Sequence, residues 1–162
     1  MKLRLILHEK CKKKCEGCCN KDWNIPMLPI NNGYLGYEEI LLTGGEPFLT
    51  PKLLKKVITE IRKETNTPIY VYTAEPNYNV FFEILNLVDG ICFTIHDNFE
   101  LKKFKQIDIG LSIRRINKSM RLNIFKDIEI GELKYGGWKI KKDIEWIKNC
   151  PLPAGEILKR YG

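Results

Sequence analysis

Short apolar runs of the kind that form buried β-strands recur along this chain, and amphipathic segments separate several of them. This alternation restricts the fold more than any other feature, because strands joined by helices form βαβ units and a parallel sheet. We predict five strands, with a sixth as a further candidate, from the apolar periodicity. They span residues 3–7, 39–43, 69–73, 90–95, 109–113 and 121–125.

Helix-type periodicity, with apolar residues three and four positions apart, accounts for most of the remaining chain. The predicted helices span residues 51–65, 79–87, 99–105, 139–149 and 155–161. A complete eight-stranded βα barrel needs about 250 residues, which is more than the 162 of this chain. We therefore predict one α/β domain over residues 1–162, folded as an open, partial (βα) barrel of about five or six mostly parallel strands.

Residues with distinctive chemistry follow directly after the predicted strands. Binding sites of parallel α/β folds form where the carboxyl ends of the strands meet. We therefore expect these residues to lie together at one edge of the sheet. In strand order they are Cys11, Cys15 and Cys18; Gly44, Gly45 and Glu46; Thr73 and Glu75; His96 and Asp97; and Arg114 and Arg115.

Cys11, Cys15 and Cys18 form a CxxxCxxC spacing after the first predicted strand. Three thiolates so close in sequence can bind one soft metal centre. Structural zinc sites and four-iron clusters both use four ligands. Either a fourth ligand comes from elsewhere in the chain, or one coordination position is left open for chemistry.

The cysteine triplet is followed, about 25 residues later, by Thr43-Gly44-Gly45-Glu46-Pro47 at the end of the second predicted strand. This combination resembles the radical S-adenosylmethionine (radical SAM) superfamily. The resemblance implies that Cys11, Cys15 and Cys18 hold a [4Fe–4S] cluster whose fourth iron binds the amino and carboxylate groups of S-adenosylmethionine. The implied reaction is reductive cleavage of the sulfonium to a 5′-deoxyadenosyl radical, which abstracts a hydrogen atom from a substrate.

The resemblance also implies a set of residues that bind S-adenosylmethionine. The Gly-Gly-Glu turn would hold its methionine end, because glycines allow close backbone approach and a carboxylate accepts hydrogen bonds from an ammonium group. Asp97 and Arg114 are substrate-site candidates by position alone. The implied cofactor-binding residues are Gly44, Gly45, Glu46, Thr73, His96 and Asn123.

Within the superfamily, the local resemblance is greatest to the activating enzymes of anaerobic ribonucleotide reductase. Residues 14–20, Lys-Cys-Glu-Gly-Cys-Cys-Asn, and Trp23 match their loop, although a Gly-Pro-Gly segment usual before their first strand is missing here. The match implies a glycyl-radical enzyme as the substrate and an external electron donor such as flavodoxin or ferredoxin. Radical modification of a nucleotide, a base or another small anionic metabolite is the alternative.

The formal net charge of +7 is concentrated in residues 101–126, which carry eight Lys or Arg residues and one acidic residue. A basic surface favours an anionic partner, and a solvated lysine-rich surface explains the charge equally well. A nucleic acid would suit such a surface, but we do not predict one. No apolar run reaches the roughly 18 residues of a membrane helix, and no signal-peptide pattern is present, so we predict a cytoplasmic protein without a membrane partner.

The other three cysteines, Cys19, Cys92 and Cys150, are not predicted metal ligands. In a cytoplasmic protein, clustered cysteines indicate metal binding or catalysis more often than disulfides. Cys92 lies within an apolar run and is expected in the core. A non-catalytic zinc-binding module, using the triplet and one more thiol, is the alternative class of function. It accounts for the charge but not for the Gly-Gly-Glu turn or the βα alternation.

Overall fold

The structure is a computed structural model that describes residues 1–162, and it contains one open sheet of seven parallel strands. The predicted α/β class is confirmed, but the sheet has more strands than the five or six expected. The strands are β1 (Lys2–Ile6), β2 (Ile40–Thr43), β3 (Ile69–Thr73), β4 (Gly90–Ile95), β5 (Ser119–Phe125), β6 (Trp138–Ile144) and β7 (Glu156–Arg160).

Four α-helices and two short 3₁₀ turns connect the strands. Pro51 begins the second helix, where its missing N–H costs no hydrogen bond. The side chains of Asn77 and Asp97 cap the third and fourth helices by accepting backbone N–H bonds. The helices are α1 (Cys19–Asp22), α2 (Pro51–Glu64), α3 (Tyr78–Leu85) and α4 (Asn98–Arg114), and the 3₁₀ turns are Ile25–Met27 and Pro47–Leu49.

The strand order is β6-β5-β4-β3-β2-β1-β7. Strands β1 to β6 therefore lie in chain order, each beside its predecessor. Since crossovers between parallel strands are right-handed, a chain that always steps in one direction places its connecting helices on one face of the sheet. The last strand, β7, pairs with β1 on the side away from β2. The fold thus has a helix-covered face and a helix-free face.

The helix-covered face carries the hydrophobic core, which contains 29 buried residues. Alternate residues of the central strands, such as Leu42, Val71 and Phe93, meet α2, α3 and α4 there. The opposite face has only a three-residue apolar cluster of Leu41, Tyr70 and Cys92. The prediction that Cys92 lies in the interior is confirmed, since it is 1% exposed.

The prediction of a strand over residues 109–113 was wrong, because this segment forms the second half of α4. Its alternating apolar residues suggested a strand, yet Ile109 and Ile113 are exposed, while Phe104, Ile107 and Leu111 form the buried helical stripe. In this helix Gly110 lies directly against Tyr78 and Phe82 of α3, and a Cβ at this position would overlap both side chains. The glycine therefore allows α4 to pack closely on α3. Arg114 and Arg115 consequently end a helix and not a strand.

The predicted helices over residues 139–149 and 155–161 were also wrong, because these residues contain β6 and β7. Both strands lie at the edges of the sheet; β6 pairs with β5 directly before it, and β7 pairs with β1 at the other end of the chain. The buried carboxylate of Asp108 in α4 helps to position β6. It accepts a 2.8 Å bond from the indole N–H of Trp138 and two backbone bonds from Lys134 and Tyr135. None of the helices is long and apolar enough to cross a membrane.

Candidate active site

A cavity of about 600 Å³ lies at the carboxyl ends of the strands and extends over the helix-free face. It brings together residues from the segments after β1, β2, β3 and β4 and from β5. All nine residues predicted as cofactor or metal ligands line it: Cys11, Cys15, Cys18, Gly44, Gly45, Glu46, Thr73, His96 and Asn123.

The cysteine loop, residues 7–18, leaves β1 and passes directly over the Gly44-Gly45 turn. Gly45 N–H donates to the carbonyl of His8 at 2.7 Å, and Glu46 N–H donates to the carbonyl of Lys10 at 2.8 Å. A Cβ at Gly44 or Gly45 would overlap these two carbonyl groups. The glycines are therefore required for contact between the turn and the cysteine loop, a role that the sequence interpretation had not included.

The imidazole of His8 holds the start of the cysteine loop. Its Nδ1 accepts the backbone N–H of Lys10 at 3.1 Å, so its proton is on Nε2, which donates to Thr50 Oγ1 at 2.6 Å. Burial lowers the pKa of His8, and the nearby charge of Lys10 lowers it further. The neutral ring thus ties the loop to the N-terminus of α2.

The thiols of Cys11, Cys15 and Cys18 are all free, and they line the same side of the cavity. Burial raises the pKa of Cys11 and raises the pKa of Cys15 to about 11. No three His, Cys, Asp or Glu side chains are close enough together to hold a metal ion in this arrangement. The chemistry of the donor set nevertheless fits an iron–sulfur centre, because three soft thiol donors face one cavity on a loop without helix or strand.

Glu46 is 6% exposed and joins the ends of β2 and β3. One carboxylate oxygen accepts from Thr73 Oγ1 at 2.7 Å and Phe48 N–H, and the other accepts from Ala74 N–H and Glu75 N–H. Burial raises the pKa of Glu46, while these donors act in the opposite direction. Glu46 thus holds together the segments that follow β2 and β3. Its contact with the ammonium group of a cofactor stays a prediction.

Lys13 anchors the middle of the cysteine loop to the start of α4. Its ammonium group pairs with Asp97 at 3.0 Å and with Glu100. Glu100 is fully buried and also accepts from the backbone N–H of His96 and meets His96 Nδ1 at 3.0 Å. One buried carboxylate therefore orients both the loop and the imidazole. Asp97 is the N-cap of α4 and pairs with Lys13, so its substrate role stays a prediction.

The ring of His96 forms an aromatic wall with two other side chains. It is stacked on the Trp146 ring, with 5.3 Å between the two ring centres, and its centre lies 4.9 Å from that of the Phe125 ring. Trp146 also covers Gly17, where a Cβ would lie only 2.6 Å from the indole. The glycine in the Cys15-Glu16-Gly17-Cys18 sequence is thereby explained by a residue of the C-terminal segment.

The floor of the cavity is polar and belongs to the helix-free face. Arg4 donates to both carboxylate oxygens of Glu156, at 2.6 and 3.2 Å, and its guanidinium lies over the ring of Tyr72. The Asn123 amide reaches Thr94 Oγ1 at 3.5 Å. These polar residues alternate with core residues along the strands, as period-two geometry requires.

Two cysteines that were not assigned a role are paired. Cys19, the first residue of α1, forms a disulfide with Cys150 in the connection between β6 and β7. The indole N–H of Trp23 donates to the Cys150 carbonyl at 3.1 Å. This pairing was not predicted from the sequence, which only left both cysteines out of the metal ligands. Arg114 does not reach the cavity lining, and its guanidinium lies 4.0 Å from the centre of the Phe82 ring.

The sequence interpretation missed Lys13, Glu100, Trp146, Arg4 and Glu156 as members of this site. Only Lys13 carried a usable signal, its position between two of the cysteines. Arg4 and Glu156 meet through the pairing of β1 with β7, Glu100 reaches Lys13 and His96 from α4, and Trp146 comes from the connection after β6. No protein-family model matches the chain, and no curated protein matches it.

Proposed function

We propose that the chain is a radical SAM enzyme, in which Cys11, Cys15 and Cys18 hold a [4Fe–4S] cluster and the adjoining cavity binds S-adenosylmethionine. The observation that carries this proposal is the convergence of nine residues on one cavity. They come from three separate loops and from the strands β3 and β5, and the sequence alone predicts them as ligands. Chance is a poor explanation for this convergence, because the five groups of residues are well separated along the chain.

The strand order also supports the proposal. Six strands in chain order with helices on one face form the type of sheet that curves into a partial barrel. Its helix-free face would be the concave interior, which suits a polar, ligand-binding surface. The expected open (βα) barrel is therefore retained as part of the proposal.

Each group of residues has a distinct role in the proposed site. The three thiols supply soft ligands and leave one coordination position for the cofactor. His96 and Asn123 can donate and accept hydrogen bonds toward it. The aromatic wall of His96, Phe125 and Trp146 shields one side of the cavity from water.

A reduced cluster held by Cys11, Cys15 and Cys18 would supply the electron for cleavage of S-adenosylmethionine, and the chemistry so provided would be hydrogen abstraction from the substrate by a 5′-deoxyadenosyl radical. The electron would come from an external donor such as flavodoxin or ferredoxin in the cytoplasm. Lys10, Lys12 and Lys14 are exposed on the cysteine loop, where an acidic donor protein would find a complementary charge.

For the substrate, we favour a glycyl-radical enzyme such as anaerobic ribonucleotide reductase, since residues 14–20 and Trp23 carry the resemblance. A nucleotide, a base or another small anionic metabolite is the second candidate. Lys103 and Lys141 favour it, because both line the cavity and form no ion pair.

Anaerobic reconstitution with iron and sulfide tests the cofactor assignment. We expect a brown protein with about four irons per chain that converts S-adenosylmethionine to 5′-deoxyadenosine when a reductant is added. Cys15→Ala should lose the cluster absorbance, whereas Cys92→Ala, which alters a buried thiol outside the cavity, should retain it. A colourless protein that binds one zinc would instead support the zinc-module alternative.

The substrate is tested by adding candidates to the reconstituted protein. A glycyl-radical signal in electron spin resonance after incubation with an anaerobic reductase would support the protein substrate. Consumption of S-adenosylmethionine that depends on a nucleotide or base, without such a signal, would support the metabolite alternative.

A further inference from the structure

The connection between β6 and β7, residues 145–155, lies across the cysteine loop, and we refer to it as the cover segment. It contains no helix or strand. Two of its residues, Trp146 and Pro153, contribute to the lining of the cavity. The cover segment thus meets the candidate site, together with residues of β5, β6 and β7 such as Asn123, Lys141 and Glu156.

Three contacts hold the middle of the cover segment, residues 146–150, in place. The Trp146 indole packs on Gly17 and stacks on His96 with an interplanar angle of 4°. The Trp23 indole N–H donates to the Cys150 carbonyl. The third contact is the covalent bond between Cys19 and Cys150, which joins the cover segment to the residue directly after Cys18.

Little else stabilises this segment. The side chains from Glu145 to Asn149 are exposed apart from the packed ring of Trp146, and Ile147 is 66% exposed, so Trp146 is the one large apolar side chain of this stretch that is packed against the rest of the chain. Asn149 and Cys150 both have positive φ, at 64° and 37°, a conformation that side chains disfavour. A segment with few buried contacts has a low free energy of local opening unless a further bond holds it. The disulfide, as the one covalent link, is therefore the contact that contributes most to fixing the position of the cover segment.

We propose that Cys19 and Cys150 form a redox-active dithiol site, separate from the three cluster thiols, that fixes or releases the cover segment. Both residues are partly exposed, so a small dithiol or a thiol–disulfide oxidoreductase can reach them. In the reducing direction the S–S bond breaks. The site takes up two electrons and two protons from the dithiol, which becomes a disulfide. Oxidation by a small disulfide reverses these changes.

The redox state of this pair should change the accessibility of Cys18, the residue directly before Cys19. While the bond is closed, Trp146 remains over Gly17, and access to Cys18 from the cover-segment side is restricted. When the bond is reduced, the middle of the segment is held by ring packing and the Trp23 hydrogen bond, and its two ends keep the exposed Glu145–Lys126 ion pair and the bond from Lys2 N–H to the Gly155 carbonyl. The redox state of the pair then controls access to the cysteine loop. This inference goes beyond the proposed function and does not depend on a cluster being bound.

The full-length, metal-free chain is equilibrated anaerobically in mixtures of reduced and oxidised dithiothreitol. Mass spectrometry after an acid quench reports which cysteines are paired. Hydrogen exchange over residues 145–155 and the rate at which iodoacetamide modifies Cys18 are then measured in each state. We expect a two-electron titration of Cys19 and Cys150 alone. In the reduced state, exchange over the cover segment should be at least about tenfold faster, and Cys18 should react faster.

Two variants serve as controls. Cys150→Ser should behave like the reduced chain under all conditions, and Cys92→Ser should keep the redox dependence of the original chain. The comparison between the two states of the unaltered chain does not require any variant to fold. The proposal is overturned if the pair never forms, if Cys19 pairs with another cysteine, or if exchange and Cys18 reactivity are the same in both states. Failure to make 5′-deoxyadenosine would leave these outcomes unaffected.

Discussion

The two faces of the sheet differ in chemistry, although the same strands form both. On the helix-covered face, residues such as Leu42 and Phe93 are fully buried against α2 to α4. On the helix-free face, Arg4, Tyr72 and Thr94 line the cavity. Neighbouring residues of one strand therefore contribute to different regions, one to the hydrophobic core and the next to the cavity, because successive side chains point to opposite faces.

This difference shows why a parallel sheet can have one polar face. Parallel sheets are normally covered by helices on both sides. Here every step between β1 and β6 runs in the same direction, so the helices collect on one side and the other becomes a binding surface. Within a strand such as β4, residues that stabilise the core therefore alternate with residues that line the candidate site. The following predictions test that separation.

Phe93→Ala and Thr94→Ala give the largest contrast. Phe93 is fully buried and meets the Phe104 ring at 5.3 Å, so its truncation should lower the free energy of unfolding by about 3–5 kcal/mol. Thr94→Ala should cost under about 1 kcal/mol but slow 5′-deoxyadenosine formation in the proposed reaction. Urea unfolding measures the first effect. Equal losses of stability in the two variants would contradict the separation.

Lys13→Met removes the partner of a buried carboxylate. Glu100 would keep only the His96 bonds, and breaking a buried ion pair from one side should lower the free energy of unfolding by about 2–4 kcal/mol. Lys12→Met is the matched control, because Lys12 is exposed and forms no ion pair. Faster iodoacetamide modification of Cys15 in Lys13→Met alone would show that the loop has been released. Equal effects from both lysines would refute the anchoring role.

Gly45→Ala tests the contact between the turn and the cysteine loop. The added methyl would overlap the Lys10 carbonyl, so we expect a loss of about 1–3 kcal/mol and displacement of the loop. Gly136→Ala serves as the control, since a Cβ there has no neighbour within 4 Å. Thermal unfolding and Cys11 alkylation report the two effects. If Gly45→Ala is tolerated as well as Gly136→Ala, the close approach does not constrain the loop.

The smallest effect concerns the pH dependence conferred by His8. Its pKa is lowered in the folded chain, so the unfolded chain binds the extra proton more readily. The stabilisation is complete above the unfolded pKa of about 6.5, declines below it, and is lost once the pH has fallen through the lower pKa of the folded chain. We expect a decrease of about 1 kcal/mol or less between pH 7.5 and 5, absent in His8→Asn. A stability that rises on acidification over this range would contradict the neutral, loop-bound imidazole.

The N-terminal part of the fold could be read from local patterns. Four strands up to residue 95 and the helices α2 and α3 were predicted close to their observed bounds, since each carries its own periodicity and end signals. The prediction over residues 109–113 was wrong, because apolar residues on the exposed side of α4 imitated a strand. Only packing of Gly110 against Tyr78 and Phe82 resolves that ambiguity.

For the candidate site, the sequence by itself determined the chemistry: three thiols, a Gly-Gly-Glu turn and the polar residues after each strand. These signals are local, since they depend on spacing within a few residues. Only the tertiary structure decided that residues 138–160 form edge strands, because β7 exists through pairing with β1, as in Lys2 with Glu156. The same long-range pairing carries Trp146 and Cys150 to the cysteine loop. No local pattern encodes contacts between residues more than 100 positions apart, so the cover over the site could be recognised only in the folded chain.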